Sequence, residues 1–168
     1  NIRRAVELIE EGLEKGTNQK DLKWNCETWY CVEQFLKAAT KEEKKTFFDL
    51  VKKNSIGLSA NYLNFNDLAD CEYLTEKIHD MQEVCATEGL KTAMFADING
   101  ISMGQRDAML ANGVEFLYTN IHTHHGMYPL YQNQKPYFWE NEDGKRLLVW
   151  SGEHYNLGNA LGIVFNKN

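Results

Sequence analysis

Short apolar runs alternate with amphipathic helix patterns along most of this 168-residue chain. Four of the runs have the length of strands, at 22–26, 55–60, 92–96 and 114–121. Between them, apolar residues recur every three to four positions, as they do on one face of a helix. Such alternation predicts a single α/β domain over residues 1–168, with mostly parallel strands, right-handed crossovers and flanking helices.

A hairpin signal and several helix-boundary signals refine this prediction. Two apolar runs, 137–140 and 146–150, flank Glu142-Asp143-Gly144-Lys145, which predicts a C-terminal β-hairpin. The sequence Thr-Lys-Glu-Glu beginning at Thr40 has the spacing of a capping box, and Asn54 is suited to end that helix in the left-handed conformation.

A further helix is predicted between the second and third strand runs. Asn66 or Asp67 can cap its start. Apolar residues then step by three and four from Cys71 to Cys85, and Gly89 is the predicted stop. A shorter helix is expected over 105–111, before the fourth strand run.

Charge and cysteine usage exclude several classes of partner. The formal net charge is −6 and the pI is about 5.4, which argues against nucleic acid or an anionic membrane as a partner. The four cysteines form no Cys-x-x-Cys pair, so reduced thiols and a cytoplasmic location are expected. The chain opens on Asn1 inside a helical pattern, and we expect it to be an excised piece of a longer protein.

Two acidic residues stand where predicted strands end. Asp97 follows the apolar run 92–96, and Glu27 follows the run 22–26. Since the carboxyl ends of parallel strands meet at one edge of a sheet, both carboxylates are predicted to face one cleft. Such a pair is what cleavage of a glycosidic bond requires. The alternatives are that Asp97 caps the turn or helix after it and that Glu27 caps the helix that starts near Trp29.

Histidines and aromatic residues are concentrated in the last third of the chain. His122 and His124 follow the fourth predicted strand two residues apart, a spacing that suits zinc, although a substrate-facing or solvated loop is the favoured interpretation. Trp139 in the hairpin, and His154 and Tyr155 just after it, are candidates for contacting a sugar ring.

Four segments, taken in order, resemble the catalytic domain of the family 38 glycoside hydrolases, the α-mannosidase family, and especially its divergent bacterial members. Their order covers nearly the whole chain. The segments are Trp24-Asn25-Cys26-Glu27-Thr28-Trp29-Tyr30, Ser55-Ile56-Gly57-Leu58-Ser59-Ala60, Asp97-Ile98-Asn99-Gly100, and Phe138-Trp139 before Glu142-Asp143-Gly144-Lys145-Arg146-Leu147-Leu148-Val149-Trp150.

This resemblance implies a zinc-dependent retaining glycosidase on a seven-stranded β/α barrel, of which the chain would be a central part. Asp97 would be both the nucleophile and a zinc ligand, with the metal gripping two hydroxyls of the sugar. Asn120 stands where many members have an arginine and is expected to contact the carbohydrate substrate. The general acid and the other zinc ligands would lie outside this chain, so the chain alone is expected to bind zinc poorly and to be inactive.

Two other functions fit the same residues. One is a carbohydrate-binding relative without catalysis, and the other is a metal-dependent hydrolase of the polysaccharide deacetylase type that uses His122, His124 and His125 as ligands. In each case, part of a barrel leaves strand edges uncovered, so self-association through those edges is expected.

Overall fold

The computed structural model describes residues 1–17, 21–64, 69–85, 89–98, 100–121 and 134–152. Within these ranges, helices and strands alternate in the predicted way. In chain order they are α1 (Ile2–Lys15), β1 (Trp24–Cys26), α2 (Trp29–Ala38), α3 (Lys41–Lys52), β2 (Ile56–Leu58), α4 (Cys71–Val84), β3 (Thr92–Ile98), α5 (Met103–Ala111), β4 (Phe116–Ile121), β5 (Lys135–Glu140) and β6 (Arg146–Ser151).

The strands form two sheets that are mostly parallel, which confirms the predicted α/β class. Strand β1 pairs with β2, and the second sheet has the order β3-β4-β6-β5. In that sheet β3, β4 and β6 are parallel, whereas β5 is antiparallel to β6 and completes the predicted hairpin. The described residues form open sheets and no closed barrel.

The segment after β2 joins the two sheets. The backbone N–H of Ala60 donates to the carbonyl of Thr92 at 3.0 Å. The hydroxyl of Ser59 accepts a hydrogen bond from the N–H of Met94 at 2.9 Å. The loop after β2 therefore runs alongside β3, and the carboxyl ends of β1, β2 and β3 lie at the same edge.

Local capping chemistry sets two helix boundaries as predicted. The hydroxyl of Thr40 accepts from the N–H of Glu43 at 3.2 Å, and the Glu43 carboxylate accepts from the N–H of Thr40 at 2.7 Å, so the capping box is confirmed. Asn54 has a φ of 55° just after α3, as expected of a left-handed residue at a helix end.

The bounds of α4 differ from the prediction. Asp70 caps this helix by accepting a hydrogen bond from the N–H of Tyr73 at 2.8 Å, so the helix begins at Cys71 rather than just after Asn66 or Asp67, which lie outside the described residues. At the other end it stops at Val84, several residues before Gly89. An aspartate directly before the first apolar position is a better placed cap than the earlier ones.

The larger sheet has one buried face and one open face. Alternate residues of a strand point to opposite faces, and strand register places matching residues side by side. The buried face carries Ala93, Phe95, Leu117, Thr119, Val149 and Ser151. The opposite face, which we call the open face, carries Met94, Phe116, Tyr118, Phe138, Leu148 and Trp150, all half-buried or exposed.

The buried face belongs to one continuous core that includes apolar residues of all five helices. Ile9 of α1, Val32 of α2 and Phe47 of α3 are completely buried in it. Ile78 of α4 and Met109 of α5 contribute from the helices that follow β2 and β3. Among the described helices, none is both long and apolar enough to cross a membrane.

Candidate functional site

Asp97 lies at an irregularity near the carboxyl end of β3. Ala96 pairs with Asn120 and Ile98 pairs with Ile121, so Asp97 is an extra residue in the register. Its φ is 62°, and its side chain is exposed. A left-handed conformation is strained for most residues, but aspartate is one of the few that adopt it. A bulge of this kind re-aims a side chain at the edge of a sheet.

The helix after Asp97 is capped by another residue. The hydroxyl of Ser102 accepts a hydrogen bond from the N–H of Gln105 at 3.0 Å at the start of α5. Asp97 is therefore not the N-cap of that helix, which removes the helix-cap alternative for this residue.

The carboxyl group of Glu27 lies within electrostatic range of Asp97. It accepts a hydrogen bond from the backbone N–H of Ala96. Burial of the Glu27 carboxyl raises its pKa, and the negative charge of Asp97 raises it further, while the hydrogen bond from Ala96 lowers it; the net direction is upward. The structure thus brings together the two carboxylates that the sequence placed at strand ends.

Helix capping does not explain Glu27 either. The N-cap of α2 is Thr28, whose side chain makes no capping hydrogen bond. The first N–H groups of this helix, those of Trp29 and Tyr30, donate to the carbonyls of Asn61 and Tyr62 at 2.7 and 3.1 Å. The Glu27 side chain instead reaches β3, where Ala96 and Asp97 lie.

Two asparagines of the loop after β2 bind the backbone of β3 through their side chains. The Nδ2 group of Asn61 donates to the carbonyl of Met94 at 3.1 Å, and that of Asn64 donates to the carbonyl of Ala96. The Oδ1 atom of Asn64 is buried and has no hydrogen-bond partner in the described part of the chain. Asn64 therefore presents a free acceptor next to the Glu27 and Asp97 pair.

Asn120 provides a second such acceptor, from β4. It is 5% exposed, pairs in register with Ala96, and its Oδ1 atom is buried without a partner among the described residues. Gly152 lies against it: a Cβ atom added there would be 2.6 Å from Asn120 Oδ1 and 2.7 Å from Tyr118 Oη. The absence of a side chain at Gly152 thus makes room for both side chains.

These contacts converge on Ala96 and define what we call the rim cluster, formed by Glu27, Asn64, Asp97 and Asn120. Glu27 binds the N–H of Ala96, Asn64 binds its carbonyl, and Asn120 is its partner on β4. The cluster offers two carboxylates and two amide oxygens. Chemically, it can accept hydrogen bonds from hydroxyl groups and can supply a carboxylate nucleophile beside a second carboxyl group of raised pKa.

His122, His124, His125, His154 and Tyr155 lie outside the described residues. Their predicted contacts with substrate or metal stay predictions.

Trp139 lies away from the rim cluster, and its predicted contact with a sugar ring stays a prediction. Trp139 pairs with Leu147, near the amino end of β6, whereas the rim cluster lies at the carboxyl ends of β3 and β4. Its ring packs under the guanidinium of Arg106, 5.2 Å from the ring centroid. Because β5 runs antiparallel, its last residues are carried away from the rim, and Trp139 is not part of the cluster.

A metal site is not complete in the part of the chain that the structure describes. No group of three or more His, Cys, Asp or Glu side chains there is arranged to hold a metal ion. A catalytic zinc typically has three protein ligands, and the rim cluster contributes only the carboxylates of Glu27 and Asp97. The described residues by themselves therefore do not make the zinc site that the family resemblance implies.

A large cavity of about 480 Å³ lies away from the rim cluster. It is bounded by Phe48 and Val51 of α3, by β2, and by the segment 89–92 that leads into β3. This is the amino end of β3, opposite to the end that carries Asp97. Its lining includes no carboxylate, so we do not assign the catalytic function to it.

Sequence reasoning missed Asn64 and Gly152. A single asparagine or glycine in a loop carries no spacing pattern, and their roles depend on contacts between distant segments. In comparisons with models of known protein families and with curated protein sequences, the chain matches none.

Proposed function

We propose that this chain is part of a retaining glycoside hydrolase of the α-mannosidase type, which acts on α-linked mannosides or related glycans. One observation carries the proposal: Glu27, directly after β1, and Asp97, near the end of β3, stand at the carboxyl ends of parallel strands within electrostatic range of each other. The family resemblance of the four sequence segments supports the assignment of the sugar class.

The fold we propose for the parent protein is a seven-stranded β/α barrel, of which this chain supplies part. Two features support it. The parallel strands β3, β4 and β6 lie side by side in the sheet in the same order as in the chain. In addition, β2 is linked to β3 through the hydrogen bond from Ala60 to Thr92. Sequential parallel strands with helices on one face are the arrangement from which such barrels are built.

In the proposed reaction, the carboxylate of Asp97 attacks the anomeric carbon, and the bond to the leaving oxygen breaks as that oxygen takes up a proton from a general acid outside this chain. Water then cleaves the resulting glycosyl ester. The left-handed backbone of Asp97 aims its carboxylate out of the strand register. Glu27 is the second carboxyl group in the cleft, and its burial together with the negative charge of Asp97 raises its pKa.

Zinc is the cofactor implied by the resemblance, with Asp97 as a ligand contributed by this chain. When bound, it would supply Lewis-acid stabilisation of the sugar hydroxyls. We also propose a cytoplasmic location, in accord with four free cysteines in the structure.

The test uses the full-length gene product that carries this chain, with an aryl α-mannoside as substrate. Asp97→Asn should lower kcat by about 10³-fold or more, because it removes the nucleophile. Asp143→Asn, in the exposed hairpin turn, is the matched control and should leave kcat unchanged. A parallel assay with a chelator tests the zinc requirement.

Two results would contradict the proposal. Full turnover by the Asp97→Asn variant would show that Asp97 is not the nucleophile. Binding of the mannoside by the wild-type protein without turnover would favour the carbohydrate-binding relative, and release of acetate from an acetylated polysaccharide would favour the deacetylase.

A further inference from the structure

Three buried oxygen atoms of the rim cluster share an unusual state. Glu27 Oε1, Asn64 Oδ1 and Asn120 Oδ1 are each shielded from solvent and lack a hydrogen-bond partner among the described residues. Buried polar atoms in folded proteins are nearly always paired, because an unpaired one loses its bonds to water without replacement. Three such atoms, on residues that each bind or pair with Ala96, indicate a place where a ligand completes the bonding.

The chemistry of these atoms restricts the ligand. An amide oxygen accepts hydrogen bonds and donates none, and a carboxyl oxygen that carries no proton does the same. The amide of Asn64 cannot simply be reversed, since its Nδ2 group is engaged by the carbonyl of Ala96. A partner must therefore supply hydrogen-bond donors or positive charge, and the nearby negative charge of Asp97 disfavours an anionic one.

We infer that Glu27, Asn64 and Asn120 form a cradle for the hydroxyl groups of a neutral sugar ring, in which Asn64 directly contacts the ligand. A sugar presents adjacent hydroxyl donors on a rigid ring, which matches acceptors fixed on neighbouring segments. The inference rests on the proposed function for the kind of ligand and adds a specificity-determining residue, Asn64, and a preference for uncharged sugars.

The experiment is a titration of the isotopically labelled chain with methyl α-D-mannopyranoside, followed by NMR at the side-chain amides. Asn64→Ala should raise Kd about tenfold or more, as expected for the loss of one buried hydrogen bond to a ligand. Asn120→Ala should do the same, and it serves as a second variant should Asn64→Ala fail to fold.

Asn112→Ala is the matched control. The Asn112 amide also donates to two backbone carbonyls, those of Thr75 and Ala108 at 3.0 and 2.9 Å, but it lies at the end of α5. Its loss should change stability and leave Kd unchanged. Mannose 6-phosphate should bind more weakly than the neutral glycoside because of its charge.

Several outcomes would overturn the cradle: no binding of the neutral glycoside, an unchanged Kd in Asn64→Ala, tighter binding of the phosphorylated sugar, or a response of the Asn64 amide to Ca²⁺ or Mg²⁺ alone. The result also separates this inference from the proposed function. If binding depends on Asn64 but the full-length protein hydrolyses nothing, the sugar-binding role of Asn64 would be supported and the proposed hydrolase function would be contradicted. If full-length Asn64→Ala hydrolyses the substrate with an unchanged KM, the hydrolase function would be supported and the sugar-binding role of Asn64 would be contradicted.

Discussion

At the scale of single residues, the strongest feature is that the negative charge of Asp97 acts on the carboxyl group of Glu27. Asp97 is held in a left-handed conformation, which costs on the order of 1–3 kcal/mol when a non-glycine residue adopts a sparsely populated region. Glu27 is kept next to that charge by its hydrogen bond from Ala96. Both arrangements oppose local stability, as is common where a site is arranged for function rather than for folding.

The raised pKa of Glu27 predicts a pH dependence of stability. The folded state holds the Glu27 proton more tightly than the unfolded state does, relative to the ordinary value of 4.5. This contribution to stability is fully present below that value and is lost as the pH rises through the folded pKa. Glu27→Gln should therefore make the protein less sensitive to a change from mildly acidic to neutral pH, as measured by urea unfolding.

Two further measurements check whether the charge of Asp97 contributes to the raised pKa of Glu27. Asp97→Asn should lower the pKa of Glu27, measured by ¹³C NMR of the carboxyl group, because it removes the repulsive charge. Glu10→Gln, at an exposed position of α1, should leave the pH dependence of stability unchanged. A Glu27 pKa that does not respond to Asp97→Asn would show that the two carboxylates are not neighbours.

At the scale of helices and strands, the sequence predicted what depends on local chemistry. The capping box at Thr40 and the left-handed Asn54 involve residues only a few positions apart, so their pattern is visible in the chain. In contrast, the bulge at Asp97 and the hydrogen bond from Asn64 to the Ala96 carbonyl depend on contacts between segments that are distant in sequence. The distance of Trp139 from the rim cluster has the same kind of cause, since it depends on the direction in which β5 pairs.

Gly152 offers a test of how strand β6 supports the rim cluster. Gly152→Ala should destabilise the fold by about 1–3 kcal/mol, because the new methyl group would overlap Asn120 and Tyr118 and force them to move. It should also weaken binding of methyl α-D-mannopyranoside by displacing the Asn120 oxygen. Urea unfolding and the NMR titration measure the two effects.

Gly104→Ala is the matched control for this substitution. Gly104 lies in α5, and a Cβ there would make only ordinary contacts, at 3.7 Å from Ser102 Oγ and 3.9 Å from Cys71 Cβ. Alanine should stabilise the helix by roughly 0.5–1 kcal/mol and leave binding unchanged. Equal effects of the two substitutions would argue against the overlap at Gly152.

At the scale of the whole molecule, the two faces of the larger sheet differ in how much of their apolar surface is buried. Its buried face packs into the helical core, while Phe116, Phe138 and Trp150 on the open face are 44%, 60% and 43% exposed. Contiguous apolar surface of this kind usually marks a contact surface. In the proposed barrel this face would look inward, where side chains from the other strands would pack against it.

For the chain studied alone, we predict that a second copy covers this face. A two-fold pairing would place the same aromatic patch on both partners, so the sedimentation coefficient should rise with concentration. Phe116→Lys combined with Trp150→Lys should weaken association by about tenfold or more, since each pairing would then bury like charges. Tyr73→Lys, at an equally exposed aromatic on α4, is the control. A monomer at all concentrations, or equal weakening by Tyr73→Lys, would show that the open face does not drive assembly.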